Sequence, residues 1–335
     1  MNPKDYLFFF VLVLFSSTAI AQNEENINSA LSGLADENKR EEAFISFQGW
    51  LADPEQLMPF SSELSAVFNN MVESASSEGD FYYTLLLLES AGCIQINIES
   101  EALLAAQLTV LRKSVRQSVD YHLWIWEDEE YQAKRYSIGV LLDLFGALET
   151  EYTLAELQLS ANYFIDNKLS MFAWLSLLER GEKINNEVFL SIAKDDESRG
   201  YLFEELTKLG KVKFFPKSFA NQEALSKSDM VTWLLHPNEF GQMPDDIELV
   251  KTYGVRYSDV GKVDFYLWKF KVNTGAWKKD GWLVGLSGPF VLKESPSTSA
   301  YGYTFSNFEK LTDRTPENHI KDIISTVDEW YEEIE

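Results

Sequence analysis

From Glu25 to about Leu209 the apolar positions recur at helical spacing. Ala43, Phe44, Phe47, Trp50 and Leu51 follow i, i+1, i+4, i+7, i+8, the stripe of a helix that buries one face. Pro54 stops that helix, and Phe60, Leu64, Val67, Phe68 and Met71 form the next stripe. Further helices are predicted near 80–91, 100–117, 131–149, 153–166, 168–180, 185–193 and 197–209, separated by short polar links. Gly181 and Gly210 stand where a left-handed residue ends a helix. Helices of this length with short links predict antiparallel pairs stacked side by side. The leucine-rich pieces 140–148 and 172–178 read as inner helices of degenerate repeats. No letter-level period accompanies them, so a solenoid and a compact irregular bundle both fit.

After about residue 227 the period changes. Ser226 or Ser228 can cap a short helix through Leu235 that Pro237 ends. Residues 247–253 read as a strand, and 263–272 as the best strand in the chain. Its even positions Tyr266, Trp268, Phe270 and Val272 make one apolar face, with Lys269 and Lys271 opposite. A third strand over 281–288 and a fourth over 301–305 complete an antiparallel sheet. Thr315-Pro316-Glu317 starts a last helix. Its apolar positions, Ile320, Ile323, Ile324, Val327, Trp330, Tyr331 and Ile334, are expected to cover one face of that sheet.

Charge divides the chain at the same place. Residues 22–226 carry 16 Lys and Arg against 34 Asp and Glu, a net −18; residues 227–310 carry 10 of each, and 311–335 carry 2 against 8. The step places a domain boundary at 226/227, with an α-helical domain over 22–226 and a small α+β domain over 227–335. A chain of net charge −24 repels phosphate backbones and anionic lipid, which argues against nucleic acid and membrane-surface partners.

The N-terminus reads as an export signal over 1–21. Lys4 precedes the unbroken apolar run Leu7–Phe15, and Ala19-Ile20-Ala21 gives an A-x-A end. That run falls well short of the about 20 residues a spanning helix needs. Cleavage after Ala21 predicts a soluble periplasmic or secreted protein. The single cysteine, Cys93, leaves neither an intramolecular disulfide nor a lipid acceptor near the cut, and reads as a buried small hydrophobe.

The stretch from Phe214 to Leu249 carries a distinctive phrase. Phe215-Pro216, Phe219, Gln222, Leu225 and Ser228-Asp229 are followed by Trp233-Leu234, Pro237, Glu239, Gly241 and Pro244-Asp245-Asp246-Ile247-Glu248. It is similar to a segment of bacterial HEAT-repeat proteins, with Asn238 where threonine is usual and Asp246 where glutamate is usual. The resemblance implies a mainly α fold, with HEAT-like repeats followed by a small α+β domain. It also implies scaffolding and protein–protein binding, and brings no activity with it.

Signatures of catalysis are missing from the sequence. His122, His236 and His319 fall in separate segments without the spacing of zinc ligands, so no metal or cofactor is expected. Ser287 lacks the second glycine of a nucleophile elbow. The acidic run Glu127–Glu130 lacks the alternation of a calcium loop and reads as a solvated helix start. Core packing is the ordinary role for Trp124 and Trp126, which flank Ile125 just before it. The loop 236–246 holds the candidate binding residues His236, Asn238, Glu239, Asp245 and Asp246, although capping is the ordinary role of such aspartates. Three functions follow: an exported non-enzymatic binding or scaffold protein, an exported hydrolase built around that loop, or a glycan- or ligand-binding module using Tyr266, Trp268 and Phe270.

Overall fold

A computed structural model describes residues 20–34, 36, 38–72, 79–115, 129–148, 150–236, 239–257, 261–272, 281–291 and 304–334. The leader run, Trp124, Trp126 and His122 lie outside them. The protein is mostly helical, with a small C-terminal antiparallel sheet of four strands. Its helices are α1 (Ile20–Leu34), α2 (Arg40–Trp50), α3 (Ser61–Met71), α4 (Gly79–Ser90), α5 (Ile98–Ser114), α6 (Glu129–Ala147), α7 (Glu151–Tyr163), α8 (Asn167–Glu179), α9 (Asn186–Lys194), α10 (Asp196–Lys208) and α11 (Gln222–Leu234). The strands β1 (Asp246–Tyr257), β2 (Gly261–Lys271), β3 (Leu283–Val291) and β4 (Thr304–Lys310) follow, then α12 (Pro316–Ile334). No helix among the described residues is long and apolar enough to cross a membrane.

The chain gathers into two compact units. One is drawn from residues up to 117, 130–165 and 172–183, the other from 118–129, 166–171 and 184 onward. In the first, side chains spaced as predicted make the core: Ala43, Phe44 and Phe47 of α2 and Leu64 and Phe68 of α3 are buried. Phe47 and Phe68 meet edge to face at 5.7 Å, and Phe68 stacks on Phe81 of α4 at 6.0 Å. Here α2 packs on α4 and α5 on α7, helices two apart in the chain. Glycines let α6 and α8 meet in the same way. A Cβ at Gly146 would lie 2.9 Å from Cβ of Ser176, and one at Gly139 would lie 3.3 Å from the Phe172 ring. Arg180 clamps the turn before α7, donating to Thr150 O at 2.7 Å and Thr153 Oγ1 at 2.8 Å. Cys93 is buried and reduced, with Sγ against Pro54 O at 3.7 Å.

The second unit joins α9, α10 and α11 in sequence to the sheet. Arg199 holds the three helices together, donating to Ala193 O at 2.7 Å and to Ala224 O at 3.0 Å, with Phe219 under its guanidinium. The helix expected to begin at Ser226 or Ser228 begins earlier. Asn221 caps α11 by accepting from Ala224 N–H at 2.9 Å, so the step in charge at 226/227 lies inside a helix. Ser228 instead links α11 to α10: its hydroxyl donates to Asp196 O at 2.6 Å and accepts from Gly200 N–H at 2.8 Å.

The sheet is a meander in the order β1-β2-β3-β4, all neighbours antiparallel. Both of its faces are buried, which departs from the single apolar face expected of β2. Tyr266, Trp268, Phe270 and Val272 pack with Met230 and Leu234 of α11 and with Phe240. On the opposite face Val263, Phe265 and Leu267 of β2, with Val284 and Leu286 of β3, pack under Ile320 and Ile323 of α12. Lys269 and Lys271 share that parity but lie beyond the covered stretch, both against the Trp282 ring. A bulge between Leu249 and Lys251 changes the parity of β1. Ile247 and Leu249 therefore serve the α11 side while Tyr253 and Val255 serve the α12 side, because one inserted residue exchanges the two faces of a strand.

Candidate functional site

The phrase from Phe215 to Glu248 forms the junction between helices and sheet. Phe215 packs edge to face on Phe203 of α10 at 5.0 Å. Gln222 is buried and accepts from the Tyr266 hydroxyl at 3.1 Å. Burial, with Asp264 and Glu223 nearby, pushes the Tyr266 phenol up to about 12, so it remains a donor to Gln222 at any physiological pH. Gln222 and Ser228 of the phrase thus tie α11 to its neighbours, and Phe215 ties the segment before α11 to α10.

Beyond α11 the chain makes a tight turn. The carbonyl of His236 accepts from Glu239 N–H at 2.9 Å and Gly241 N–H at 3.1 Å. Gly241 has φ of 61°, the left-handed region that a side chain resists. Phe240, Gln242 and Pro244 are buried, anchoring the segment that leads to β1. Of the sequence-predicted residues, His236 and Glu239 share this turn and are half-buried. Asn238 lies outside the described residues. Asp245 donates its N–H to Lys271 O at 2.9 Å, and Asp246 is the exposed first residue of β1, in register with Lys271. Both aspartates therefore begin the sheet. The turn and the sheet start are consecutive in the chain but carry separate structural duties.

Electrostatics single out a residue that pattern reading passed over. Asp229, on α11, has its carboxyl pushed up to about 7 by burial, although the residue keeps a partly accessible edge. Asp229 and Trp233 stand at i and i+4 on α11, one helical stripe, and His236 follows two residues past the end of the helix. Burial also raises Glu239, against a smaller downward pull from Trp233, and lowers the His236 imidazole. The Trp233 indole N–H is itself enclosed and makes no well-formed hydrogen bond, so that pull reflects proximity. Groups moved toward neutrality are the raw material of acid–base chemistry. The signal available in the sequence was the Ser228-Asp229 pair inside the phrase.

A second polar cluster closes the sheet against α12. His319 is 1% exposed, with Nδ1 against the Glu309 carboxylate. Arg314 pairs with Glu309 at 2.6 Å and also with Asp322. Nε2 of His319 is enclosed and, among the described residues, has no hydrogen-bond partner, so the atom a general base would use is turned into the packing. This network is a tie between β4 and the last helix, as is the Lys251–Glu317 ion pair from β1.

Other residues singled out in the sequence also have structural duties. Ser287 is buried and accepts from the Trp268 indole at 3.0 Å. Tyr266, Trp268 and Phe270 are enclosed beneath α11, so that face offers no stacking platform to a glycan. Glu129 and Glu130 are exposed at the start of α6. Among the described residues no three His, Cys, Asp or Glu side chains gather as metal ligands. Comparison with protein families, with characterised proteins and with solved structures gives no match to this chain.

Proposed function

We propose that this is an exported, non-enzymatic binding or scaffold protein, whose HEAT-like helix pairs present surface to another protein. One observation carries the reading: helices two apart in the chain pack on each other at α2 with α4, α5 with α7 and α6 with α8. That is the neighbour relation of stacked helical pairs. Arg180, half-buried, and Arg199, buried, fasten neighbouring segments together and support it. The apolar leader favours work outside the cytoplasm, in a periplasm or beyond the cell. The test is fractionation followed by co-purification of the full chain from the envelope and the medium. A stoichiometric protein partner that rebinds when both are purified is the expected result; cytoplasmic retention, or no rebinding partner, overturns it.

Asp229 with His236 and Glu239 favours a second reading, a hydrolase centred on the 236–246 loop. Its test is a hydrolytic substrate screen in which Asp229→Asn, His236→Ala and Glu239→Gln each abolish a turnover that the parent protein shows.

A further inference from the structure

Helix α7 exposes an apolar stripe. Tyr152, Leu159 and Tyr163 stand at i, i+7 and i+11, along one face over about 16 Å, and are 48%, 49% and 36% exposed. Ile98, on the first turn of the packed neighbour α5, and Ile165, just past α7, are exposed as well. Ile98, Tyr152, Leu159, Tyr163 and Ile165 are five of the ten large apolar side chains that are exposed among the described residues, while Leu103 and Val110 share another face of α5. Contiguous exposed apolar surface on a folded protein marks an interaction site, and tyrosines are enriched in such sites.

Charge decides what fits there. Helix α7 carries Glu151 and Glu156 and no lysine or arginine. Arg112 reaches the stripe from α5 but is buried and committed. It pairs with Glu156 at 3.1 Å, donates to Ser160 at 2.9 Å and lies 5.7 Å from the Tyr163 ring centroid. The face is therefore apolar, with the neighbouring Arg112 neutralised by Glu156, on a helical region of net charge −18. A second copy would bring −24 of the same sign, and an anionic lipid surface repels for the same reason. A helix with lysines and arginines flanking an apolar stripe satisfies both the surface and the field.

We propose that the α7 face docks a cationic amphipathic helical segment of a partner protein. This rests on the reading of the molecule as a binding protein and adds the chemistry of what it binds. The test titrates the purified full chain against a labelled Lys/Leu amphipathic helix and against the same composition shuffled to destroy amphipathicity. The amphipathic peptide is expected to bind about ten-fold tighter than the shuffled one. Leu159→Gln with Tyr163→Gln is expected to cost about ten-fold, from two half-exposed apolar side chains. Leu103→Gln, on a separate face of α5, serves as the folded control and is expected to leave binding unchanged. Equal binding of the two peptides, or full binding by the double variant, overturns the proposal. So does a stripe-dependent dimer in gel filtration, or stripe-dependent uptake by anionic vesicles. Co-purification separates the two readings: a partner captured equally by parent and double variant sinks the α7 site alone, while a failure to rebind any partner sinks the binding reading itself.

Discussion

Replacing Asp229 by asparagine should make the protein more stable, and only where the pH is high. The carboxyl is pushed from 3.8 to about 7 by burial, so the folded state holds this proton to higher pH than the unfolded chain does. Between about pH 4 and pH 7 the folded protein binds the extra proton, and stability falls as pH rises. A displacement of about 3 pH units is worth at most about 4 kcal/mol; relaxation and the accessible edge of Asp229 reduce the expected gain to about 2 kcal/mol. Below the unfolded pKa both states are protonated and the cost of charging is absent; above about pH 7 it is present in full. Asparagine keeps the shape and a polar amide without the charge. Urea unfolding of parent and Asp229→Asn, followed by tryptophan fluorescence, measures the difference directly. It should be near zero at about pH 4 and about 2 kcal/mol in favour of the variant at about pH 8. Using the difference removes the pH trend of a chain with net charge −24, which both proteins share. Parallel pH profiles, or a variant less stable at high pH, would refute a carboxyl penalised by burial.

Three further outcomes follow from the packing. Gly146→Ala puts a Cβ 2.9 Å from that of Ser176 and should destabilise by about 1–3 kcal/mol in urea unfolding; a neutral result would mean α6 and α8 are not in tight contact. Arg180→Met keeps the stem but removes the donors to Thr150 and Thr153, and should cost about 2 kcal/mol by the same assay. Cys93, buried and with its thiol raised by burial, should resist alkylation in the native protein and react once urea unfolds it; rapid native labelling would contradict its position in the core.

The helices were legible because each obeys a local rule. Ala43, Phe44 and Phe47 mark their own buried face, and Gly181 and Gly210 end their helices at φ of 85° and 65°. The meander was legible from alternation and short links. What the sequence concealed is tertiary. Ser226 and Ser228 look like caps until Asn221 takes that position, because Ser228 is required between α10 and α11. Val263, Phe265 and Leu267 interrupt the alternation of β2 because α12 covers a face that local pattern assigns to solvent. The candidate loop was found from its aspartates, yet Asp245 and Asp246 begin a strand, while the carboxyl that burial moves toward neutrality is Asp229, inside a helix. Burial of a carboxyl depends on what lies above the helix, and no spacing rule encodes that.

A binding protein of this kind must meet its partner through the helical face. Benzoylphenylalanine placed at Leu159 and, separately, at Leu103 would report this by photo-crosslinking in cells that make the protein. The expected result is a discrete heavier adduct from position 159, whose partner carries a lysine- and arginine-rich amphipathic segment, and none from position 103. No adduct from 159, or the same diffuse products from both positions, would contradict it.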